Sequence, residues 1–309
     1  MSVRPAHARA ETSIPGPFVV GGAFVSAARR GVLAVAGAAL LWSTGGVGIK
    51  AVAAPALTVA CVRSAVAAMA LWLWFRPRVW QWTPGFLVGA VSYAACLTTF
   101  VVATKWTSAA NAIFLQYSGV VWVLLLSPLV LREPFRGTDA LAIAVAFAGM
   151  ALFFVGELDP GGRVGDRVAL LSGVCFAALV LALRRERDRG AEAAVVYGNL
   201  LAAAALAPFA IPPAAIPPTS IAILVLLGVF QIGAAYALFV HGLRTVPATR
   251  ASLIGMLEPV ANPIWVFLLL GETPRATSIA GALVVLAAIA WRTTTASEQS
   301  TTPELAPLD

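Results

Sequence analysis

Charge is scarce in this chain. Asp, Glu, Lys and Arg make up 11% of its 309 residues, where ordinary soluble domains carry about a quarter. A surface so poor in charge cannot be held in water, which excludes a soluble globular protein and places the chain in a membrane. Cysteine is limited to Cys61, Cys96 and Cys175, all inside apolar stretches and none at metal-ligand spacing. A metal site and a disulfide framework are therefore not expected, and the three thiols read as small polarizable filler. The sequence also lacks a phosphate-cradling lysine loop, an HExxH pair, an Asp-rich diphosphate motif and a GxSxG elbow within a span. Those absences remove ATP-driven pumping and recognisable intramembrane catalysis. Every acid except Glu258 falls in a loop, a tail or a helix end, so no carboxylate pair is available for acid–base work. No catalytic residue and no cofactor is expected.

What the chain has in quantity is apolar length: 60% hydrophobic residues and a mean hydropathy of +0.88. A span takes roughly 20 mostly apolar residues. Ten windows qualify: 31–50, 55–75, 84–104, 108–131, 139–156, 167–184, 193–211, 219–242, 250–270 and 276–292. The last part of the chain is divided at IPPAAIPP (211–218), because paired prolines cannot continue a helix. Residues 1–30 read as a flexible cytoplasmic tail and 293–309 as a second polar tail, with a periplasmic linker at 157–166. With the N-terminus inside, fifteen of the 21 basic residues fall on the inner side, five on the outer, and Arg63 within a span. That bias places both termini in the cytoplasm of a multi-pass inner (plasma) membrane protein. The formal charge of +7 is thereby assigned to topology and lipid contact, not to nucleic acid.

Sliding the chain by 139 residues pairs Leu87 with Leu226, Phe100 with Phe239, Leu131 with Leu270 and Glu133 with Glu272, both acids closing an apolar run as L-x-E. The shift spans five helices, an odd number, so the second copy inserts upside down. The expected fold is an all-α polytopic membrane protein of ten transmembrane helices in two inverted five-helix repeats, 31–156 and 167–292. Inverted repeats of this kind belong to transporters, with the substrate site near the midplane where the halves meet.

TSAANAIFLQYSGVVW followed by LVLREP, and VPATRASLIGMLEPV followed by LLLGE, resemble the paired signatures of the EamA-type drug/metabolite transporters. ALLWSTGGVGIK and the Arg63 of ACVRSAVAAMAL are similar to that family's first two helices, so the resemblance covers nearly all of the chain between its tails. It implies two inverted five-helix repeats and, usually, export of small metabolites or amino acids. Val120 stands where the family often has proline, which argues against a helix break in the fourth span. An uptake permease of the same fold and a non-transporting receptor or scaffold are the alternative functions. The sequence leaves the oligomeric state open.

Glu258, in GMLEPVANPIW, lies eight residues past Arg250, about 12 Å along a helix in a core of roughly 30 Å. Spacings of three and four put Gly255, Glu258, Asn262, Trp265 and Leu269 on one stripe, which suits a cavity wall better than a lipid-facing surface. Pro259 and Pro263 each remove a backbone donor and free a carbonyl in the preceding turn. An intramembrane carboxylate is a functional candidate by default, and three roles are open to it: proton or coupling-ion carrier, substrate contact, or interhelical hydrogen bond. Arg63 lies within about 6 Å of the same depth. It can meet Glu258 directly, bridge to it through a substrate carrying both charges, or snorkel to the outer headgroups. Asn111, Gln116 and Tyr117 in the fourth span, and Gln231 and Tyr236 in the eighth, are candidates to flank the same space. His241 sits too near the rim for a proton relay. Trp42 and Ser43, beside Gly45, Gly46 and Gly48, allow close approach of the first helix, and Trp42 and Tyr93 can stack on an apolar substrate. Trp72, Trp74, Trp80, Trp82, Trp106 and Trp291 read as interface anchors.

Overall fold

In the computed structural model, residues 17–77, 82–155, 162–212, 215–270 and 275–301 are described, and they contain helices and no strand. Trp80 and residues 157–161 of the 157–166 linker lie outside them. The first five crossings are α1 (Pro17–Trp42) with α2 (Gly45–Ala51), α3 (Ala56–Phe75), α4 (Pro84–Trp106), α5 (Ala109–Gln116) with α6 (Ser118–Leu131), and α7 (Gly137–Phe153). The second five are α8 (Arg163–Arg185), α9 (Ala191–Leu206), α10 (Pro218–Leu226) running through Leu227–Ala234 into α11 (Ala235–Leu243), α12 (Ala248–Gly255) with α13 (Leu257–Leu270), and α14 (Ala276–Thr301). Eight of these segments are long and apolar enough to cross a membrane by themselves, and Gly137–Phe153 is a shorter apolar helix. The α12–α13 pair is the remaining crossing.

Local chemistry sets the helix ends. Thr83 caps α4 by accepting from the Phe86 N–H at 3.0 Å, with Pro84 in the first turn, where a missing backbone donor costs nothing. Ser108 caps α5 in the same way, accepting from the Asn111 N–H at 3.0 Å. Arg132 ends α6 in the left-handed region at φ 58°, and Pro134 follows. Two ends differ from the sequence reading. The first helix begins at Pro17, inside the stretch read as tail; no further proline intervenes before Trp42. The last helix runs to Thr301: Thr293, Thr294 and Thr295 turn their hydroxyls back onto the carbonyls of Ile289, Ala290 and Trp291, so this polar run satisfies itself within a helix.

Three crossings are interrupted: at Ser43–Thr44, at Tyr117 and at Met256. The last two lie 139 residues apart, and the helices beside them match in length, eight residues for α5 and α12 and 14 for α6 and α13. The repeat register read from the sequence is therefore also the register of the kinks. Val120 does not keep the fourth crossing straight. Tyr117 has ψ −9°, and its carbonyl accepts from the Val120 N–H, three residues on, at 2.9 Å. The eighth crossing is not broken but widens into π-helical turns over Leu227–Ala234, a geometry found disproportionately at functional sites.

The halves interlock, with α4 on α8, α7 on α14, α3 on α9 and α1 on α11. Two glycine pairs allow the closest crossings. A Cβ on Gly281 would lie 2.4 Å from the Gly149 carbonyl, where α7 meets α14. One on Gly119 would lie 2.4 Å from the Gly173 carbonyl, where α6 meets α8. Lipid offers no hydrophobic drive between helices, so this close backbone packing is what holds them. Trp72, Trp74, Trp82, Trp106 and Trp291 stay exposed on the outer surface.

Candidate functional site

The helix interruptions converge on one small cavity of about 30 Å³, lined by Trp42, Arg63, Cys96, Leu97, Phe100, Gln116, Phe176, Gln231, Ile232, Tyr236 and Glu258. Trp42 is the last residue of α1, Gln116 the last of α5, Gln231 sits in the widened turns, and Glu258 lies in the first turn of α13, just past the Met256 kink. Non-helical backbone at membrane depth is tolerated where it lines a cavity, and here each interruption delivers a polar or aromatic side chain to the same place. Both repeats contribute. Room for a water begins at roughly 10–15 Å³ of this kind of volume, so the space is large enough for only one or two waters.

Glu258 is buried, and its carboxyl meets the Tyr117 hydroxyl at 2.9 Å. The same hydroxyl donates to the Gly255 carbonyl at 2.6 Å. That carbonyl is free because Pro259, four residues on, has no N–H to return to it. One proline thus frees an acceptor in the second repeat, and a tyrosine of the first repeat fills it.

Arg63 is fully buried in α3, at a cost of about 2.5–3.5 kcal/mol on membrane-insertion scales. Its Nη1 donates to the Gln231 side-chain oxygen at 3.2 Å, while Nε and Nη2 have no partner among the described residues. Arg63 and Glu258 share the cavity without forming an ion pair, so neither their direct contact nor snorkelling of Arg63 to the headgroups is what the structure holds. Rings close the remaining walls. Trp42 lies 5.0 Å from Tyr236 and 4.9 Å from Phe239, and Phe176 stands edge-on to Trp42 at 6.5 Å, measured between centroids.

Residues 29–155 and 163–294 each match the EamA-like transporter family. The chain belongs to that family. An uncharacterized transporter from Archaeoglobus fulgidus is 27% identical over 201 residues, 63% of this chain and 72% of that protein. A protein crystal structure shares the fold with a TM-score of 0.73 at 18% identity, covering 88% of this chain and 98% of its own. The EamA-like transporter is thus a multi-pass membrane transporter built from two copies of one helical unit.

Of the candidates read from the sequence, Trp42, Arg63, Gln116, Gln231, Tyr236 and Glu258 line the cavity of the EamA-like transporter. Five others stand behind it. Tyr93 packs its ring 4.6 Å from that of Tyr236 and accepts from the Asn199 amide at 2.8 Å. Tyr117 holds Glu258. Ser43 accepts from the Trp265 indole at 2.7 Å, tying α13 to the first interruption, and Asn262 lies against Gly46. Asn111 is not at the cavity: its amide donates to Asp166 at 2.9 Å, at the end of the bundle where α5 begins. The helix there starts at Ala109, capped by Ser108, so Asn111 is only in its first turn. Sequence reasoning passed over Cys96, Leu97, Phe100, Phe176 and Ile232, which line the space, and Ser172, which accepts from Gln116 Nε2 at 2.8 Å. Apolar residues in an apolar helix carry no signal of which face they present, and only the hydroxyl of Ser172 stood out from its surroundings.

Both ends of the EamA-like transporter are cross-tied. At one, Lys50 donates to the Thr107 carbonyl at 2.8 Å, and Lys105 donates back to the Val52 carbonyl at 2.7 Å. Thr107 and Asn111 both donate to Asp166. At the other, Arg184 pairs with Glu133 at 2.7 Å and also donates to the Leu243 carbonyl. The second oxygen of Glu133 takes the Ala248 N–H at 3.0 Å, at the positive end of α12. Arg292, which the sequence reading counted only for topology, is buried and paired with Asp139.

Proposed function

We propose that this EamA-like transporter is a secondary active carrier, not an enzyme, that exports amino acids or related small metabolites across the inner membrane, with both termini in the cytoplasm. Its partners are the carried solute and membrane lipids, with no nucleic acid. The observation that carries this reading is the origin of the cavity lining: Trp42, Arg63 and Gln116 come from the first repeat, and Gln231, Tyr236 and Glu258 from the second. A site shared between inverted halves is exposed to one side or the other as the halves rock. The ties of Thr107 and Asn111 to Asp166 at one end and the Arg184–Glu133 pair at the other join the two repeats, and they are the contacts such rocking breaks in turn. Export and the amino-acid class rest on the family resemblance together with the aromatic walls.

Glu258 is the coupling residue of this scheme. A phenol has one proton, and a carbonyl only accepts. With the Tyr117 proton committed to the 2.6 Å bond to Gly255, a proton on Glu258 completes the 2.9 Å contact between carboxyl and hydroxyl. Rocking that separates Tyr117 from Glu258 then changes the setting of that proton. The test is flux in proteoliposomes under an imposed pH gradient. Wild-type protein is expected to move solute in response to the gradient and Glu258→Gln to lose that response; equal, gradient-independent flux in both would reject proton coupling.

A further inference from the structure

The buried polar atoms of the cavity-lining residues that lack a partner among the described residues are Trp42 Nε1, Arg63 Nε and Arg63 Nη2. All three are donors. An unoccupied set made only of N–H groups, two of them on one guanidinium, calls for a ligand that brings acceptors and negative charge. The pattern on Arg63 is more specific still. Nε–H and Nη2–H lie side by side on one edge of the guanidinium and point the same way, at the spacing of the two oxygens of a carboxylate. Gln231 occupies the remaining nitrogen, Nη1, at 3.2 Å, which sets the plane of the group and leaves that edge open. Glu258 does not fill it: that carboxyl is engaged by Tyr117.

We propose that Arg63 is the carboxylate-binding residue of this transporter, taking both oxygens of an organic acid across its Nε–Nη2 edge, with the apolar part of the solute against Trp42, Phe176 and Tyr236. This deepens the transport reading and rests on it only for the claim that the bound acid is also moved. The closed cavity of about 30 Å³ has no room for such an acid, so binding accompanies opening of the bundle at one end. Release of the tie between Arg63 and Gln231 is not required, because the two use different nitrogens. A lysine at 63 keeps the charge and loses the fork. An amide in place of the acid keeps the shape and loses the charge.

Binding to purified protein in detergent separates these possibilities without any flux. The probes are L-phenylalanine, hydrocinnamate, L-phenylalaninamide and chloride, scored by equilibrium binding and by protection from thermal unfolding. The two acids are expected to bind, with the amide weaker by roughly tenfold or more and chloride without effect. Arg63→Lys is expected to weaken both acids by a similar factor and to leave the amide unchanged. Acid and amide binding alike to the wild type, protection by chloride alone, no binding of either acid, or full acid binding in Arg63→Lys would each overturn the proposal. The comparison of acid with amide needs no variant, so a misfolded mutant does not compromise it. Flux measured separately then tests transport: acids that bind and do not move leave the assignment of Arg63 intact and reject the carrier reading.

Discussion

Tyr117 shows how much a single hydroxyl does in this bundle. It caps the Gly255 carbonyl that Pro259 leaves free and holds Glu258 at the cavity. Tyr117→Phe is expected to lose about 0.5–2 kcal/mol of stability, the range spanned by measured hydrogen bonds in water and between membrane helices. Reversible unfolding in detergent measures it. Because the carbonyl is free only through the proline, restoring a backbone donor with Pro259→Ala should recover part of that loss in the double variant, and strict additivity of the two changes would contradict the coupling. The role of Pro259 was legible in the sequence, since a proline always frees the carbonyl four residues back. That a tyrosine 138 residues earlier would fill it was not, because nothing in local pattern says which helix lies opposite.

Helices here meet through backbone, and the crossings of α7 with α14 and of α6 with α8 depend on it. Gly281→Leu would drive a side chain into the Gly149 carbonyl at 2.4 Å, a contact that the far end of no flexible side chain can relieve. The expected outcome is loss of monodisperse protein and a lower unfolding temperature. Gly137→Ala makes the control, since nothing lies within 4 Å of its added carbon, and it should leave both measurements unchanged. Element positions were largely readable from apolar length and from the prolines and charges between runs. Kinks were less so. The absence of proline at 120 weakened the case for a break in the fourth helix, yet the helix is interrupted at Tyr117, where the hydroxyl reaches across to the other repeat and Gly119 lets α8 press close.

At the scale of the whole molecule, the carrier reading gives the ties at the two ends the task of holding each end shut. The reciprocal lysine contacts, Lys50 to the Thr107 carbonyl and Lys105 to the Val52 carbonyl, join α2 and α4 across the end where Asp166 gathers Thr107 and Asn111. Cys96 is a native reporter of the cavity they enclose. In a background carrying Cys61→Ala and Cys175→Ala, the pair Lys50→Met and Lys105→Met is expected to raise Cys96 labelling by a water-soluble maleimide several-fold. Unchanged labelling would show that these lysines do not hold that end shut.

The sequence by itself determined the solvent, the number of crossings, and the five-helix repeat with its 139-residue register. Those follow from length, charge and self-similarity, which are properties of the chain read in one dimension. The tertiary structure alone decided that Arg63 is held by Gln231 and not by Glu258, that Asn111 serves an end of the bundle, and that Cys96 and Phe176 face the cavity. In a chain that is apolar on nearly every side, hydropathy does not distinguish a face turned to lipid from one turned to protein. That choice is made by close packing and hydrogen bonds between the two halves.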